Sequence, residues 1–330
     1  MITVGRAPYR ISLLGGGSDL DWFLKEENQG ISLGYSLNKF SYSVVNVLNE
    51  NSKGGILNYS VRENYTKIDS IVHPLIKEAL KMSKIRNYIE LSTYGFATGG
   101  SGLGGSSCFL LSLLAALKNN ENHKLNNEEL AAEVCEIEIN RLKKPIGRQD
   151  QYLSALGGLS CLLFFKGGTV KQNHLNNHKK AFLKREIDNL FLIPSFKTRS
   201  ADKVLQNLKD DQSSISKLKD IREIALSFIN SNDDRDFKIQ ENFYQSVRDS
   251  WKIKSSMTNV MDPLLEEQFE EIKNLVPNNW IRLLGAGSGG YFLISPKTDK
   301  FETSKILGDS KFNNYIKADM SPSGVTVKSF

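Results

Sequence analysis

Apolar residues recur along the first half of this chain in two periods, every second residue and three or four apart, so strands and helices are predicted to alternate. Strand-like runs fall at residues 3–4, 41–48, 88–93 and 159–165, and helical runs at 73–84, 108–118 and 128–143. The polar stretch 171–180, where His174 and His178 lie among Asn and Lys, reads as a solvated loop and not as a metal site. From about residue 189 a second pattern begins. It has a strand at 190–194, long amphipathic helices between 200 and 275, strands at 280–284 and 291–294, and a final strand at 324–330. The change of pattern divides the chain into 1–188 and 189–330, and the predicted class is α/β (α+β) in two domains. A length of 330 residues gives both parts enough chain for a core.

The connection between strand 88–93 and the helix from 108 carries the strongest chemical signal. Gly99, Gly100, Gly102, Gly104 and Gly105, interrupted by Ser101 and Leu103, let backbone N–H groups approach an anion closely. The helix that follows adds its unpaired amides and the positive end of its dipole. A Walker loop puts Lys and then Ser or Thr after its last glycine. Here Ser106 and Ser107 stand instead, so another residue or a metal has to supply the missing charge. The loop also satisfies the dinucleotide pattern GxGxxG, as does 285–290. No second strand with an acidic end follows the first helix, and the second copy sits between two strand-like runs, so neither opens a nicotinamide-binding unit.

On the helix 128–143, at about 100° per residue, Leu130, Ala131, Val134, Cys135, Ile137 and Leu142 share one arc, and Glu138 falls in its middle. A carboxylate pointed at a core needs a cation, a metal ion or donor groups. An ion pair, for instance with Arg141, is one solution; beside a phosphate cradle without its lysine, Mg²⁺ is the better one. Pro145 and Gly147 stop that helix, and Asp150 opens a short one ended by Gly157 and Gly158. Asp150 reads as a carboxylate satisfying free amides at a helix start or as a chemical group, and Arg148 as surface charge or an anion contact.

A net charge of +6 and a pI near 9.0 come from Lys and Arg scattered without a basic block, which argues against nucleic acid as a partner and suits phosphorylated substrates. Cys108, Cys135 and Cys161 are far apart in apolar surroundings and read as packing residues in a reducing compartment. The first residues lack the long apolar stretch of a signal peptide, and the longest apolar run, 108–117, is too short to span a bilayer. A soluble, cytoplasmic protein without a membrane partner is expected.

Three segments, in order and at family-like spacing, resemble the motifs of the GHMP kinases, which include galactokinase, homoserine kinase, mevalonate kinase and phosphomevalonate kinase. They are Gly5-Arg-Ala-Pro-Tyr-Arg-Ile-Ser-Leu-Leu-Gly-Gly-Gly-Ser-Asp-Leu20, the loop 99–107, and Leu284-Gly-Ala-Gly-Ser-Gly-Gly290. The likeness extends over nearly the whole chain. Within the family, Gly-Arg-Gln-Asp-Gln-Tyr at 147–152 and the triple glycine at 15–17 are most similar to the D-glycero-D-manno-heptose 7-phosphate kinases.

The resemblance implies a ribosomal-protein-S5-like N-terminal domain that binds ATP and a ferredoxin-like C-terminal domain. It implies that Gly99, Gly100, Ser101, Gly102, Leu103, Gly104, Gly105, Ser106 and Ser107 wrap the ATP phosphates and that Ser107 and Glu138 hold Mg²⁺. By the same likeness Asp150 orients and deprotonates the acceptor hydroxyl, Arg10 is the basic residue beside it, and the third loop, with Gly287, closes on phosphates and acceptor. Gly16 and Gly17 stand where galactokinase has Glu-His, so those two galactose contacts are missing; Ser288 replaces a common glycine of the third motif. Asp19 remains, to hydrogen-bond a sugar diol or to cap a helix. Arg148 is placed on the acceptor side, and Lys197, Thr198 and Arg199 follow a strand at an amide-rich helix start, suited to a phosphate or to a solvated cap. The implied activity is ATP-dependent phosphorylation of the anomeric hydroxyl of a heptose 7-phosphate to the 1,7-bisphosphate, feeding nucleotide-activated heptose for surface polysaccharide. A kinase of an unphosphorylated, fucose- or galactose-like sugar and a catalytically silent sensing relative are the alternatives. The expected partners are a small sugar phosphate and ATP, and the chain is expected to be a monomer or homodimer.

Overall fold

The computed structural model describes residues 2–97, 100–121, 125–195, 197 and 201–330. In chain order the first part comprises β1 (Ile2–Leu14), α1 (Asp21–Glu27), β2 (Gln29–Val47), β3 (Gly55–Asn58), β4 (Arg62–Tyr65), α2 (Pro74–Met82), β5 (Ile89–Gly95), α3 (Gly105–Asn120) and α4 (Asn127–Cys135). A π-helical turn (Glu136–Arg141) continues α4, and α5 (Gln149–Leu156), β6 (Leu159–Phe165), β7 (Val170–Asn173) and α6 (Asn177–Ile187) follow. The second part comprises β8 (Phe191–Pro194), α7 (Ala201–Asp210), α8 (Ser214–Asn230), α9 (Asp236–Ser255), α10 (Pro263–Leu275), β9 (Asn278–Leu283), β10 (Tyr291–Pro296), α11 (Lys300–Gly308), β11 (Ile316–Lys317) and β12 (Thr326–Ser329).

Two sheets organise these elements. The first has the order β12-β1-β2-β5-β3-β4, with β6 on the other half of β2 and β7 beyond it; the second has the order β11-β8-β10-β9. β2 is 19 residues long because it serves two partners, β6 along residues 29–35 and β5 along 41–47. β1 follows β2 throughout, with register shifts at Pro8/Tyr9 and Ser12/Leu14. From Ala7 to Leu14 every residue of β1 is buried, so Arg10 and Ser12 lie as deep as their apolar neighbours.

The structure corrects several sequence expectations. Only residues 3–4 of β1 were legible as strand, because a strand covered on both faces has no alternation to read. The stretch 171–180 is not a loop: it holds β7 and the start of α6. The last strand does not stay with the second part, since β12 crosses back to pair with β1, Thr3 opposite Ser329 through Arg6 opposite Thr326. One core cluster runs from α2, α3 and the first sheet to Phe228, Phe243 and Trp280 of α8, α9 and β9; another joins the second sheet with α10 and α11 and also takes in Leu153, Leu162 and Phe164. No helix among the described residues is long and apolar enough to cross a membrane.

Candidate active site

The glycine loop, the end of the π-helical turn and the starts of α1, α3 and α5 line one cleft, whose opposite wall comes from α7, α8, α9 and the loop after β9. Gly104, the residue before α3, is left-handed at φ 75°, and no side chain caps α3, so its first amides remain for a ligand. Gly100 and Gly102 also take positive φ, 81° and 77°, which turns the loop over the helix start. The buried Leu103 anchors it: its carbonyl accepts from the Arg10 N–H at 3.1 Å.

Glu138 lies at the base of this cradle and is fully buried. The sequence predicts an α-helix through residue 143, but the backbone widens at Glu136–Arg141, where the N–H of Leu142 bonds back to the carbonyl of Ile137 at 2.9 Å. Both carboxylate oxygens are used. Oε1 accepts from Ser106 Oγ at 2.5 Å and Lys144 Nζ at 3.1 Å, and Oε2 from Ser107 Oγ at 2.7 Å and Gln151 Nε2 at 2.8 Å. Arg141 is not the partner; it points to Glu78 at 3.5 Å. Lys144 also donates to Ser106 Oγ at 2.7 Å. It is thus the cation that the glycine loop lacks in sequence, brought in from the far side of the π turn. Among the described residues no group of three or more His, Cys, Asp or Glu gathers here. One buried carboxylate and serine hydroxyls beside the glycine loop form an all-oxygen set that fits Mg²⁺, an ion that completes its shell with water and phosphate oxygens.

Asp150, in the first turn of α5, meets Arg10 of β1 in a two-point pair, Nε to Oδ1 at 2.6 Å and Nη2 to Oδ2 at 2.7 Å. Arg10 Nη1 donates to the carbonyl of Gly102 at 2.6 Å, so one guanidinium ties the acid to the glycine loop. Burial works against the Arg10 charge, and the contact with Asp150 more than restores it, holding its pKa above the ordinary value.

Further along the cleft, Asp19 faces the triple glycine. It does not cap α1, which follows it. Its Oδ2 accepts from the N–H of Gln149 at 2.9 Å, and its Oδ1 accepts from Gln149 Nε2 and from the N–H of Gly17, each at 3.1 Å. The carboxylate fits only because residue 147 is glycine: a Cβ there would lie 1.9 Å from Oδ2. Burial lifts the Asp19 pKa above the usual carboxylate value, with the nearby Asp150 adding to it and the N–H donors opposing. Gly16 and Gly17 line the same end, with Leu208, Leu218 and Ile221 as an apolar wall.

Other predicted contacts lie elsewhere. Arg148 is held by Asp21, with Nη2 to Oδ2 at 3.3 Å, and Lys197 is held by Asp262; neither lines the cleft. Gly287 packs on Val260, and Gly285 and Ala286 are the residues of the third loop that face the cleft. Gly99, Thr198 and Arg199 lie outside the described residues. Sequence reading missed Lys144 and Arg282. Lys144 follows a helix end with no local signal, and Arg282 was hidden in an apolar strand.

Residues 72–158 match the family described as GHMP kinases N terminal domain. The chain is 26% identical to a D-glycero-alpha-D-manno-heptose 7-phosphate kinase of Campylobacter jejuni subsp. jejuni, with 98% of each covered. Among solved structures it matches a D-glycero-D-manno-heptose 1-phosphate kinase from Bacteroides thetaiotaomicron with a TM-score of 0.73 at 18% identity, 99% of each chain covered. It matches a Lactococcus lactis galactokinase complexed with galactose with a TM-score of 0.74 at 13% identity, covering 98% of this chain and 95% of that one.

Proposed function

We propose, for a chain that belongs to the GHMP kinases and transfers a phosphoryl group from ATP to a sugar, that the acceptor is the anomeric hydroxyl of D-glycero-D-manno-heptose 7-phosphate and the product its 1,7-bisphosphate. The observation that carries this reading is the joining of Asp150 through Arg10 to the carbonyl of Gly102, which sets a carboxylate beside the phosphate loop at the entrance to an acceptor end built around Asp19. The Campylobacter jejuni relative, a heptose 7-phosphate kinase that aligns with 98% of this chain, supports the choice of sugar.

In this mechanism the loop 99–107 and the first amides of α3 receive the ATP phosphates, with Lys144 neutralising oxygen charge from the side. Ser107 and Glu138 would hold Mg²⁺, which when bound neutralises phosphate charge during transfer. Asp150 orients the acceptor hydroxyl and takes its proton, while Arg10 fixes the carboxylate in place. Phosphoryl transfer asks mainly for in-line placement and charge neutralisation, so a weak carboxylate base suffices. Asp19 accepts from sugar hydroxyls, as its oxygens keep lone pairs beyond those used by Gln149 and Gly17. An enzyme that consumes ATP in this way belongs in the cytoplasm, and its product is suited to conversion into a nucleotide-activated heptose.

A coupled ADP-release assay over a panel of free sugars and sugar phosphates tests the assignment. Heptose 7-phosphate should give the highest kcat/KM, with the new phosphate on the anomeric carbon. Preference for a free sugar such as fucose or galactose would overturn the choice of acceptor. Absence of ATP turnover with every sugar would leave a silent relative.

A further inference from the structure

We infer that Arg282 binds the phosphate that the acceptor itself carries, and so selects a sugar phosphate over a free sugar. The inference rests on the acceptor reading above. Arg282 sits on β9, is 5% exposed and lines the cleft. Its Nη1 donates to the carbonyl of Leu13 at 2.5 Å, which brings it across from the second sheet to the end of β1, just before the triple glycine and Asp19. Among the described residues its buried Nε has no hydrogen-bond partner and no carboxylate pairs with it.

Among the described residues, the other cations that line the cleft are engaged: Arg10 with Asp150, Lys144 with Glu138, and Lys254 with the carbonyl of Gly285 at 2.5 Å. Burial alone pulls the pKa of Arg282 down to about 10, with no neighbouring acid to restore it. A guanidinium kept in such a place without a counter-charge costs stability, and an anionic ligand would remove the cost. With Nη1 used, the edge formed by Nε and Nη2 is a two-donor fork of the shape that a phosphate monoester accepts. The apolar wall of Leu208, Leu218 and Ile221 keeps the surroundings poor in water, which strengthens a contact between charges. Lys197, expected from sequence to take this phosphate, is already paired with Asp262. The phosphate could in principle be the γ-phosphate of ATP, but Arg282 meets β1 at Leu13, on the acceptor side of Arg10, so the acceptor is assigned as its source.

The test uses Arg282→Met, which keeps the stem and removes the charge, and Arg282→Lys, which keeps the charge and loses the fork. Steady-state kinetics are measured with heptose 7-phosphate, free heptose and ATP, and melting temperatures with and without inorganic phosphate. The preference for heptose 7-phosphate over free heptose should fall by about 50-fold in Arg282→Met, less in Arg282→Lys, with KM for ATP changed by no more than about twofold. The ligand-free melting temperature should hold or rise, and inorganic phosphate should stabilise the wild type but not Arg282→Met. An equal loss with both acceptors, a rise confined to KM for ATP, or a fall in melting temperature with normal preference would each overturn the inference, the last by making Arg282 a tie between the two sheets. If the wild type ignores heptose 7-phosphate altogether, the acceptor reading fails on its own, and the Arg282 assignment to an acceptor phosphate falls unless another sugar phosphate in the panel shows the same Arg282-dependent preference and thermal shift.

Discussion

Asp150 and Asp19 are two carboxylates of one cleft, the first half-buried and the second buried, and the difference in surroundings sets what each can do. Asp150 is gripped by the Arg10 fork. Asp150→Asn keeps the size but turns an amide N–H₂ against that fork and removes the proton acceptor, so kcat should fall by about 10²–10⁴-fold while ATP still binds. Turnover and ATP calorimetry on the same preparation check this, and near-normal turnover would remove Asp150 from the chemistry. Asp19 makes no ion pair among the described residues, and burial lifts its pKa above the ordinary 3.8. Because kcat/KM reports ionisations of the free enzyme, kcat/KM for the acceptor should fall on acidification with a limb lying above 3.8. The sign follows from the lifted value: the ionised form accepts sugar hydroxyls, and it is lost sooner than for an ordinary aspartate as pH drops. By linkage the same group contributes stability that is complete below its unfolded value and is lost as pH rises through the folded one, and acceptor donors offset that loss. The acid limb should disappear in Asp19→Asn; its persistence there would assign it to another group.

At the scale of elements, periodicity reached far but not to the details on which the site depends. Leu130, Ala131, Val134, Cys135 and Ile137 placed Glu138 in the core because α4 is regular up to Cys135. The π turn was not legible, since a single widened turn within six residues leaves no periodic trace. Lys144 was illegible for a related reason: its partner is set by how that turn ends, not by spacing along an α-helix. The loop 99–107 and α5 were readable from glycines and helix stops, whereas the polar run 171–180 concealed a buried side chain. Lys179 is wholly covered there, and its Nζ donates to the carbonyls of Ile229 and Ser231 at the end of α8, at 2.9 and 2.6 Å, so a polar letter took an interior place. The π turn makes a prediction. Glu138→Gln keeps hydrogen bonding but presents an N–H₂ to either Lys144 or Gln151, both donors, so part of the network must rearrange. Activity should fall by about 100-fold, with half-saturating Mg²⁺ raised, and the melting temperature should drop by only a few degrees, equivalent to about 1–3 kcal/mol. Unfolding together with a normal Mg²⁺ response in the folded fraction would make Glu138 purely structural.

The whole molecule places Asp150, the proposed catalytic carboxylate, with a segment more than 170 residues later in the chain, which no local pattern could have revealed. After the second sheet the chain returns to the first, and residues 321–325 clasp the far end of α5 on the way to β12. The N–H of Val325 donates to the carbonyl of Ala155 at 3.1 Å, and the N–H of Gly158 to the carbonyl of Ser321 at 2.8 Å. The approach is so close that a Cβ at residue 324 would lie 1.8 Å from the Ala155 carbonyl oxygen. α5 is only eight residues long and carries Asp150 in its first turn, so a push at one end is transmitted to the other. Gly324→Ala should therefore displace α5 and lower kcat by about 10–100-fold, as misplacement near 1 Å does in phosphoryl and other transfers, with KM for ATP almost unchanged because the glycine loop is not touched. Some stability should be lost as well, on the order of 1–3 kcal/mol, the usual cost of overpacking. Lys328→Ala, at an exposed position of β12 in the same terminal segment, is the control and should leave both unchanged. If Gly324→Ala melts earlier yet turns over normally at a temperature where it is folded, the returning segment only supports the first sheet and does not place Asp150.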